Sequence, residues 1–350
     1  MWLLGPVAEF KCPPIVSILI MTLPVRCLSL GGRNSSHTYD EVDWRLNSGA
    51  EMRMFSMFAV PAPPVRHQQL LVTIFGLYGR NAGDALPVSA LISMLGSLGY
   101  DAPGVRSSVS RLKAKGVLKS VREGGIAKYK ISESVSDVFR EGDRRIFAPE
   151  QAAPVDEWVL AVFSVPESMR NRRHQLRSAL LGLGFGSVAN GVWIAPANKL
   201  EQARERLTSS GLIEFVDLFR SDYVFDGPMR PKIAEWWDLK ELDQQFTEFL
   251  ELYAGAEEQW TQRVGHDPEA ALAGSTQELR REAFRYYIPM LTLWRKFPYK
   301  DPNLPADYLP PEWHGPAVRR TFQAVHRLAA PLAAAHAHEV ISEALDPAVA

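Results

Sequence analysis

The sequence predicts a multidomain α+β protein with three successive units, and three observations support this prediction. From Gln68 apolar residues recur every three or four positions in three short segments, and a strand-turn-strand pattern follows them. From Glu157 the predicted elements take the order β-α-β-β-α-β. Beyond Pro228 the helical period continues without strands. We therefore expect an N-terminal winged helix-turn-helix, a central ferredoxin-like domain and a helical C-terminal domain.

Composition limits the classes of function. The 350 residues, 46% of them hydrophobic, are enough for about two or three ordinary domain cores. Cys12 and Cys27 are the only cysteines, so the chain has no disulfide framework or CxxC metal site, which favours a reducing cytoplasm. GxSxG and Walker motifs do not occur, and His336 and His338 are spaced to point to different sides of a helix. We expect no catalysis, no cofactor and no metal.

Residues 1–65 differ from the rest of the chain. Their longest apolar run, residues 15–23, is shorter than the roughly 20 residues that a membrane span needs. Lys11 is the only basic residue before it, whereas a signal peptide begins with a basic region. We interpret residues 1–65 as a disordered or mis-annotated extension and expect no contact with a membrane.

Residues 66–133 have the pattern of a winged helix-turn-helix. Helices are predicted over residues 68–78, 87–98 and 102–115, with breaks at Asn81–Asp84, Gly99 and Gly116. Two strands, residues 117–122 and 126–131, enclose a turn at Glu123-Gly124-Gly125. In the second strand Ala127, Tyr129 and Ile131 alternate with Lys128 and Lys130. We therefore expect the apolar residues on one face and the lysines on the other.

The third predicted helix has the layout of a helix that enters a major groove. Val105, Val109 and Leu112 form an apolar stripe, and the opposite face carries small, hydroxyl and guanidinium side chains. We expect the following residues to face the bases: Arg106, Ser107, Ser110 and Arg111. We expect the following residues to hold phosphates: Lys113, Lys119, Arg122, Lys128 and Lys130.

Charge supports this interpretation. Between Gly99 and Ile131 eight basic residues stand against two acidic ones, which is a net charge of +6. Such an excess on one small unit is typical of a protein that binds a polyanion. Ordinary solvated charges, or a winged helix that binds another protein, are the alternatives that the pattern leaves open.

Two further regions complete the chain. Residues 134–156 are predicted as a linker with a helix over residues 134–141, followed by the segment Arg144–Pro149. The ferredoxin-like domain is predicted over residues 157–226, with these strands and helices in chain order: 157–165, helix 168–183, 185–189, 192–195, helix 198–209 and 213–219. In the C-terminal domain, residues 227–343, one long helix is predicted from Ile233 to Tyr253, a second over residues 279–297 and a third from Pro316.

Several blocks of sequence resemble the PaaX family, the repressors of aerobic phenylacetate catabolism. The blocks are LLVTIFGLYGR, GVRSSVSRLKAKGVL, RRIFAP, GFGSVANGVWIAP and DPNLPADYLPPEW, and they extend from about Gln68 to about Ala334. The resemblance implies a homodimer on a double-stranded, pseudo-palindromic DNA operator. It also implies release from the operator by an aryl-CoA thioester, typically phenylacetyl-CoA. The effector and dimerisation functions would then lie in residues 227–343, where aromatic stripes accompany Arg285 and Arg295 as candidate effector contacts.

The alternative is a metal-dependent nuclease built on the central domain. That domain also resembles the small CRISPR-adaptation nucleases, whose first strand ends in an acidic metal ligand. Here Ser164 stands at that position and Glu167 lies just beyond it. A hydroxyl is a poor ligand for Mg²⁺, which prefers carboxylate oxygens, so the repressor is the favoured interpretation.

Overall fold

The computed structural model describes residues 65–80, 85–147, 155, 157–224 and 227–346. The expected extension, residues 1–65, lies outside the described residues apart from Val65, which is buried. Within these residues the fold is a mixture of helix and sheet, with two small antiparallel sheets and a helical C-terminal part. In the part of the chain that the structure describes, no helix combines the length and apolarity that a membrane span requires.

Three helices and a three-stranded sheet form the N-terminal module, residues 65–131. In chain order its elements are α1 (His67–Tyr78), β1 (Ala85–Pro87), α2 (Val88–Ser97), α3 (Ala102–Ala114), β2 (Leu118–Glu123) and β3 (Ile126–Ile131). The sheet order is β1-β3-β2 with both pairings antiparallel. The sequence did not predict β1, because three residues directly before a helix show no period. Pro87 both ends β1 and stands as the N-cap residue of α2.

Helix α4 (Glu133–Phe147) follows and is longer than predicted. Residues 144–147, expected in an irregular linker, form its last turn. Arg145 and Ile146 make tertiary hydrogen bonds there, which the local pattern does not reveal.

The central unit, residues 157–221, has the predicted element order. Its elements are β4 (Trp158–Phe163), α5 (Arg170–Gly182), β5 (Gly186–Ala189), β6 (Val192–Pro196), α6 (Leu200–Ser209) and β7 (Val216–Ser221). All neighbouring strands are antiparallel in the order β5-β6-β4-β7. The prediction of a last strand over residues 213–219 was wrong in part, since Ile213–Phe215 is a 3-10 turn and the strand begins at Val216. A short apolar run does not by itself distinguish a strand from a helical turn.

The C-terminal helices differ from the prediction in number. They are α7 (Met229–Trp236), α8 (Leu239–Leu252), α9 (Ala256–Val264), α10 (Pro268–Ala273), α11 (Gln277–Trp294), α12 (Phe297–Lys300) and α13 (Gly315–Leu345). The long helix predicted from Ile233 to Tyr253 is broken at Trp237, whose backbone is extended. Trp237 Nε1 donates to the Gly184 carbonyl at 3.0 Å, and Asp238 caps α8 by accepting from the Glu241 amide at 3.1 Å. A contact with the central unit therefore overrides the continuous apolar stripe.

The N-terminal module and the C-terminal helices share one hydrophobic core. Buried residues of α1, α2 and α3 belong to the same cluster as those of α8, α11 and α13. Within it Trp294 stacks on Phe322, with ring centroids 4.6 Å apart and an interplanar angle of 14°. Residues 66–133 and 227–343, predicted as separate domains, are therefore joined through their interiors.

The central unit has its own core. One face of its sheet packs on α5 and α6 through residues such as Val159, Leu180 and Leu207. The other face meets α7 through an aromatic cluster, in which Trp158 lies 6.0 Å from Trp236 and 6.5 Å from Trp237 between ring centroids.

Candidate nucleic-acid interface

Helix α3 presents the predicted side chains to solvent on one face. Val105, Val109 and Leu112 are buried in the core. The exposed side chains are those of Arg106, Ser107, Ser110, Arg111 and Lys113. Ser108, for which the sequence suggested no role, is buried at 5% exposure and takes no part in this surface. Each of the five predicted α3 contacts is therefore accessible, and they lie on the side away from the core.

Both ends of α3 are held by local signals in the sequence. At the start, Asp101 is the N-cap residue and its carboxylate accepts from the Gly104 amide at 3.0 Å. At the end, Gly116 has φ +72°, and the Val117 amide donates to the Leu112 carbonyl at 3.0 Å. This is the Schellman pattern that satisfies the last carbonyls of a helix.

A close contact with α1 sets the position of α3 in the module. A Cβ at Gly104 would lie 2.9 Å from His67 Cε1, so only glycine lets the first turn of α3 approach α1 so closely. The His67 ring packs edge-on against Tyr100 at 4.6 Å, and Tyr100 Oη donates to the Val65 carbonyl at 2.7 Å. The exposed face of α3 is thus presented by a closely packed neighbourhood.

The β2–β3 hairpin stands beside α3 with the predicted turn. Gly124 and Gly125 both have positive φ, +59° and +83°, as a two-residue type I′ turn requires. Lys119 and Arg122 are exposed on β2. Lys119 Nζ lies 3.7 Å from Glu133, and both side chains are at least half exposed. An exposed pair of this kind contributes about 0–1 kcal/mol, so it competes weakly with a phosphate.

The predicted two-faced pattern of β3 is only partly present. Lys128, one of the predicted phosphate contacts, pairs with Glu123 at 3.0 Å, and its side chain is 14% exposed. Lys130 is half-buried, and Ala127, expected on the buried face, is exposed. Ala127 lies beyond the three β3 residues that pair with β1, near the hairpin tip. The alternation of buried and exposed residues on β3 therefore fails beyond the point where its neighbour β1 ends.

The two candidate effector residues lie in different environments. Arg285 is exposed on α11. Arg295, at the end of α11, is 4% exposed, and burial lowers its pKa to about 10, so the guanidinium stays charged at neutral pH. Its Nη2 donates to the Gln69 carbonyl of α1 at 3.4 Å.

Arg295 lines a small pocket of about 40 Å³, which we call the junction pocket. Its walls come from α1, from α4 and from the segment formed by the end of α11 and α12. No side chain of α1 or α4 was predicted to line an effector site. Sequence reasoning gave no signal for them, because the three walls are more than 60 residues apart in the chain.

Helix α4 connects the three parts of the molecule beside this pocket. Arg145 Nη1 donates to the Gly182 carbonyl of the central unit at 2.6 Å, and its guanidinium lies 5.2 Å from the Tyr299 ring centroid. Trp294 Nε1 of α11 donates to the Ile146 carbonyl at 3.0 Å. Asp143 pairs with Arg80, at the end of α1, at 2.6 Å. One helix thus makes direct bonds to all the other parts.

The residues of the nuclease alternative lie at the surface of the central unit. Ser164 is exposed, and Glu167 is held by Arg173 at 2.8 Å. Within the described ranges no group of three His, Cys, Asp or Glu side chains is placed to hold a metal ion.

Three family models match successive parts of the chain. Residues 66–135 match the PaaX-like protein model, residues 151–232 match the PaaX protein central Cas2-like domain, and residues 237–339 match the PaaX-like protein C-terminal domain.

Relatives and solved structures were compared as well. The Transcriptional repressor PaaX of Escherichia coli strain K12 is 24% identical over 294 residues, which cover 83% of this chain and 89% of that protein. Among solved structures, the uncharacterized protein Rv0674 from Mycobacterium tuberculosis is 19% identical with a TM-score of 0.46, covering 79% of this chain and 98% of its own.

Proposed function

This chain belongs to the PaaX family, and on that premise we propose that it is a transcriptional repressor with a winged helix-turn-helix in residues 66–133. The observation that supports DNA binding best is the exposed face of α3, where two arginines, two serines and a lysine are accessible while the opposite face is buried. Small and hydroxyl side chains allow a close approach to the major groove, and guanidinium groups address guanine or phosphate.

The roles divide by position. Arg106, Ser107, Ser110 and Arg111 face the bases, because they lie in the exposed stripe of the recognition helix. Phosphates are held by the remaining cations, of which the first three are exposed and the last two are partly covered: Lys113, Lys119, Arg122, Lys130 and Lys128. Lys128 contributes least, since it must first leave Glu123.

The repressor acts as a homodimer on a pseudo-palindromic operator of double-stranded DNA. Two copies of α3 then enter successive major grooves, with half-sites about one helical turn or a multiple apart. An aryl-CoA thioester such as phenylacetyl-CoA releases the dimer, and the regulated genes serve phenylacetate or related aromatic-acid catabolism. The effector acts by binding unequally to the DNA-competent and DNA-incompetent geometries. The central, ferredoxin-like unit has a structural part in this dimer and no catalytic one.

The test is fluorescence anisotropy of the full chain on DNA from its own promoter region and from neighbouring operons, at fixed salt. Phenylacetyl-CoA and free phenylacetate are titrated into the complex. We expect specific binding that the thioester abolishes and the free acid does not. Specific DNA binding that neither compound changes would support the repressor and contradict the proposed effector. Absence of specific binding, together with metal-dependent cleavage of DNA, would replace the repressor with the nuclease.

A further inference from the structure

We propose that Arg66, Lys115 and Lys296 form a second phosphate-binding surface beside α3, so that the end of α11 contacts the DNA backbone. We call these three residues the flanking cations. The inference rests on the proposed function for its partner, double-stranded DNA, and adds a contact from outside the recognition helix and the hairpin. Because Lys296 belongs to the C-terminal helices, this surface brings the C-terminal part of the chain to the operator.

Two hydrogen bonds hold the end of α11 against the first turns of α1. Thr73 of α1 is bonded to Thr292 of α11 at 2.8 Å, and Arg295 Nη2 donates to the Gln69 carbonyl at 3.4 Å. The earlier residue of α1 thus contacts the later residue of α11, which means that the two helices run in opposite directions here. The end of α11 therefore lies at the start of α1.

Arg66 and Lys296 lie together at this end of the helix pair. Arg66 is one turn before Gln69 and is exposed, and Lys296 directly follows Arg295 and is partly exposed. Burial, followed by the positive charges of its neighbours, lowers the pKa of Lys296 to about 8. Those neighbours are Arg295, Lys300 and Arg66. The start of α1 and the end of α11 therefore concentrate positive charge in one place.

The start of α1 lies along one side of α3. A Cβ at Gly104 would lie 2.9 Å from the His67 ring, and at the other end of α3 Lys115 Nζ donates to Gln68 Oε1 at 3.3 Å. Gly104 and Lys115 are eleven positions apart, about three turns, so they share one stripe of the helix. Arg111 precedes Lys115 by one turn and borders this stripe. The flanking cations therefore continue the basic surface of α3 sideways.

Their charge is not neutralised within the chain. Among the residues that the structure describes, no ion pair involves Arg66, Lys115 or Lys296. The partner of Lys115, the Gln68 amide, is neutral. At the opposite end of α1, by contrast, Arg80 pairs with Asp143 at 2.6 Å. Cations of like charge held close together repel each other, so a bound anion stabilises them.

DNA supplies anions at this position. The major groove is about 12 Å wide, and a helix with its side chains is about 10–12 Å across, so a helix in the groove has a phosphate strand along each side. Side chains that flank the recognition helix therefore meet phosphates and not bases. Such contacts add affinity and fix orientation without reading sequence.

The experiment measures the salt dependence of DNA binding by fluorescence anisotropy of the full chain. The probes are a promoter duplex and a scrambled duplex of the same length. Arg66→Gln and Lys296→Gln should each weaken binding to both duplexes several-fold. Each should also reduce the slope of log K for DNA binding against log salt concentration by about 0.9. Arg281→Gln removes an exposed charge from α11 about four turns before Lys296, and as the matched control it should change neither quantity. Thermal unfolding checks that each variant is folded.

Lys296→Arg separates a phosphate contact from a structural role. Since the pKa of Lys296 is about 8, its charge is present at pH 7 and is lost as the pH rises above that value. A bound phosphate favours the charged form, so DNA binding takes up a proton above about pH 8 and weakens as the pH rises. Arginine stays charged throughout this range. Lys296→Arg should therefore match the unmodified chain at pH 7 and lose several-fold less affinity by about pH 9. An equal loss in the two proteins would contradict a phosphate contact by Lys296.

Failure of this inference differs from failure of the proposed function. If binding to the promoter duplex is specific, but Arg66→Gln and Lys296→Gln behave like Arg281→Gln, the repressor stands and the flanking surface is wrong. If the chain binds both duplexes equally and the two variants weaken this binding, the flanking surface stands and the sequence-specific repressor is wrong.

The phosphates of a CoA thioester are the other source of the same anion. Isothermal titration calorimetry with phenylacetyl-CoA, in the absence of DNA, separates the two sources. We expect Arg66→Gln and Lys296→Gln to leave thioester binding unchanged. If they weaken thioester binding and leave DNA binding unchanged, the contact with the DNA backbone is wrong.

Discussion

The N-terminal module and the central unit both carry a helix with exposed arginines, but they are built into the molecule in different ways. Helix α3 belongs to a module whose interior continues into α8, α11 and α13. Helix α5 packs on a sheet with its own core, and that unit meets the rest through an aromatic cluster and the Arg145 bond. The difference teaches that two helices with similar charge are held in different ways. Helix α3, the proposed recognition helix, is held by the core that the N-terminal module shares with the C-terminal helices, whereas α5 is held by the core of the central unit.

The largest effect tests the shared core itself. Phe322→Ala removes a ring with 1% exposure that stacks on Trp294, and such truncations cost about 3–5 kcal/mol. Hydrogen exchange should show lost protection in α1 as well as in α13. Leu180→Ala is the control in the central core, and it should lower protection in the central unit alone. Unchanged protection of α1 in Phe322→Ala would contradict a shared core.

The connection between the two regions is tested at Arg145. Arg145→Ala removes a bond to the Gly182 carbonyl and an ion pair with Glu141, and we expect the free energy of unfolding to fall by about 1.5–3 kcal/mol. Urea denaturation measures this change. Arg144→Ala, on the exposed side of the same turn, is the control and should change stability little. Equal effects of the two substitutions would mean that Arg145 does not connect the regions.

The division of roles between the two arginine-bearing helices is tested on DNA. Arg111→Ala on α3 should cost about 1–3 kcal/mol of operator affinity and relax base preference, as expected for a lost bidentate base contact. Arg177→Ala on α5 is exposed as well and should leave base preference intact. Anisotropy with operator and scrambled DNA measures both. If Arg177→Ala lost the preference for operator over scrambled DNA, the central unit would take part in recognising the DNA sequence.

A smaller effect separates the cations of the hairpin. Arg122→Ala should weaken binding to all DNA sequences alike. It should also reduce the slope of log K for DNA binding against log salt concentration by about 0.9. Lys128→Ala should change the slope less, because Lys128 is paired with Glu123 and largely covered. Salt titrations of the two variants measure the difference, and a larger change for Lys128 would reverse the assignment.

The smallest effect is a pH dependence located in the shared bundle. Burial lowers the pKa of His336 and also that of His326, so the folded state favours neutral rings. The unfolded chain takes up these protons first. The pKa of histidine in the unfolded chain is about 6.5. The contribution of the two neutral rings to the free energy of unfolding is therefore fully present above that pH and is lost as the pH falls below it. His336→Phe should reduce the dependence of the free energy of unfolding on pH, measured by urea titrations at several pH values, and an unchanged dependence would contradict this assignment.

Some of the structure was predictable because its signals are local. The bounds of α3 and β3 agree with the prediction to within one residue, since a cap, a glycine and a two-glycine turn mark them. The exposed face of α3 follows from the helical period alone. The ion pair between Lys128 and Glu123 was not predictable, because a cross-strand pair depends on the register of the hairpin.

The surroundings of the two candidate effector contacts were not predictable from the sequence. Arg295 is buried and lines the junction pocket, whereas Arg285 is exposed. The other walls of this pocket depend on how α1 and α4 pack against α11. The break at Trp237 has a similar origin, because the indole bonds to Gly184, 53 positions earlier.

The sequence by itself determined the order of the elements in the central unit, which face of α3 is buried and the basic character of its exposed face. These follow from periodicity, caps and turns, which act over a few residues. Only the tertiary structure decided that residues 65–131 share a core with the C-terminal helices, that α4 connects the three parts, and that Arg295 faces a pocket. Such contacts depend on complementary surfaces of segments far apart in the chain, and no local free-energy preference specifies which surfaces meet.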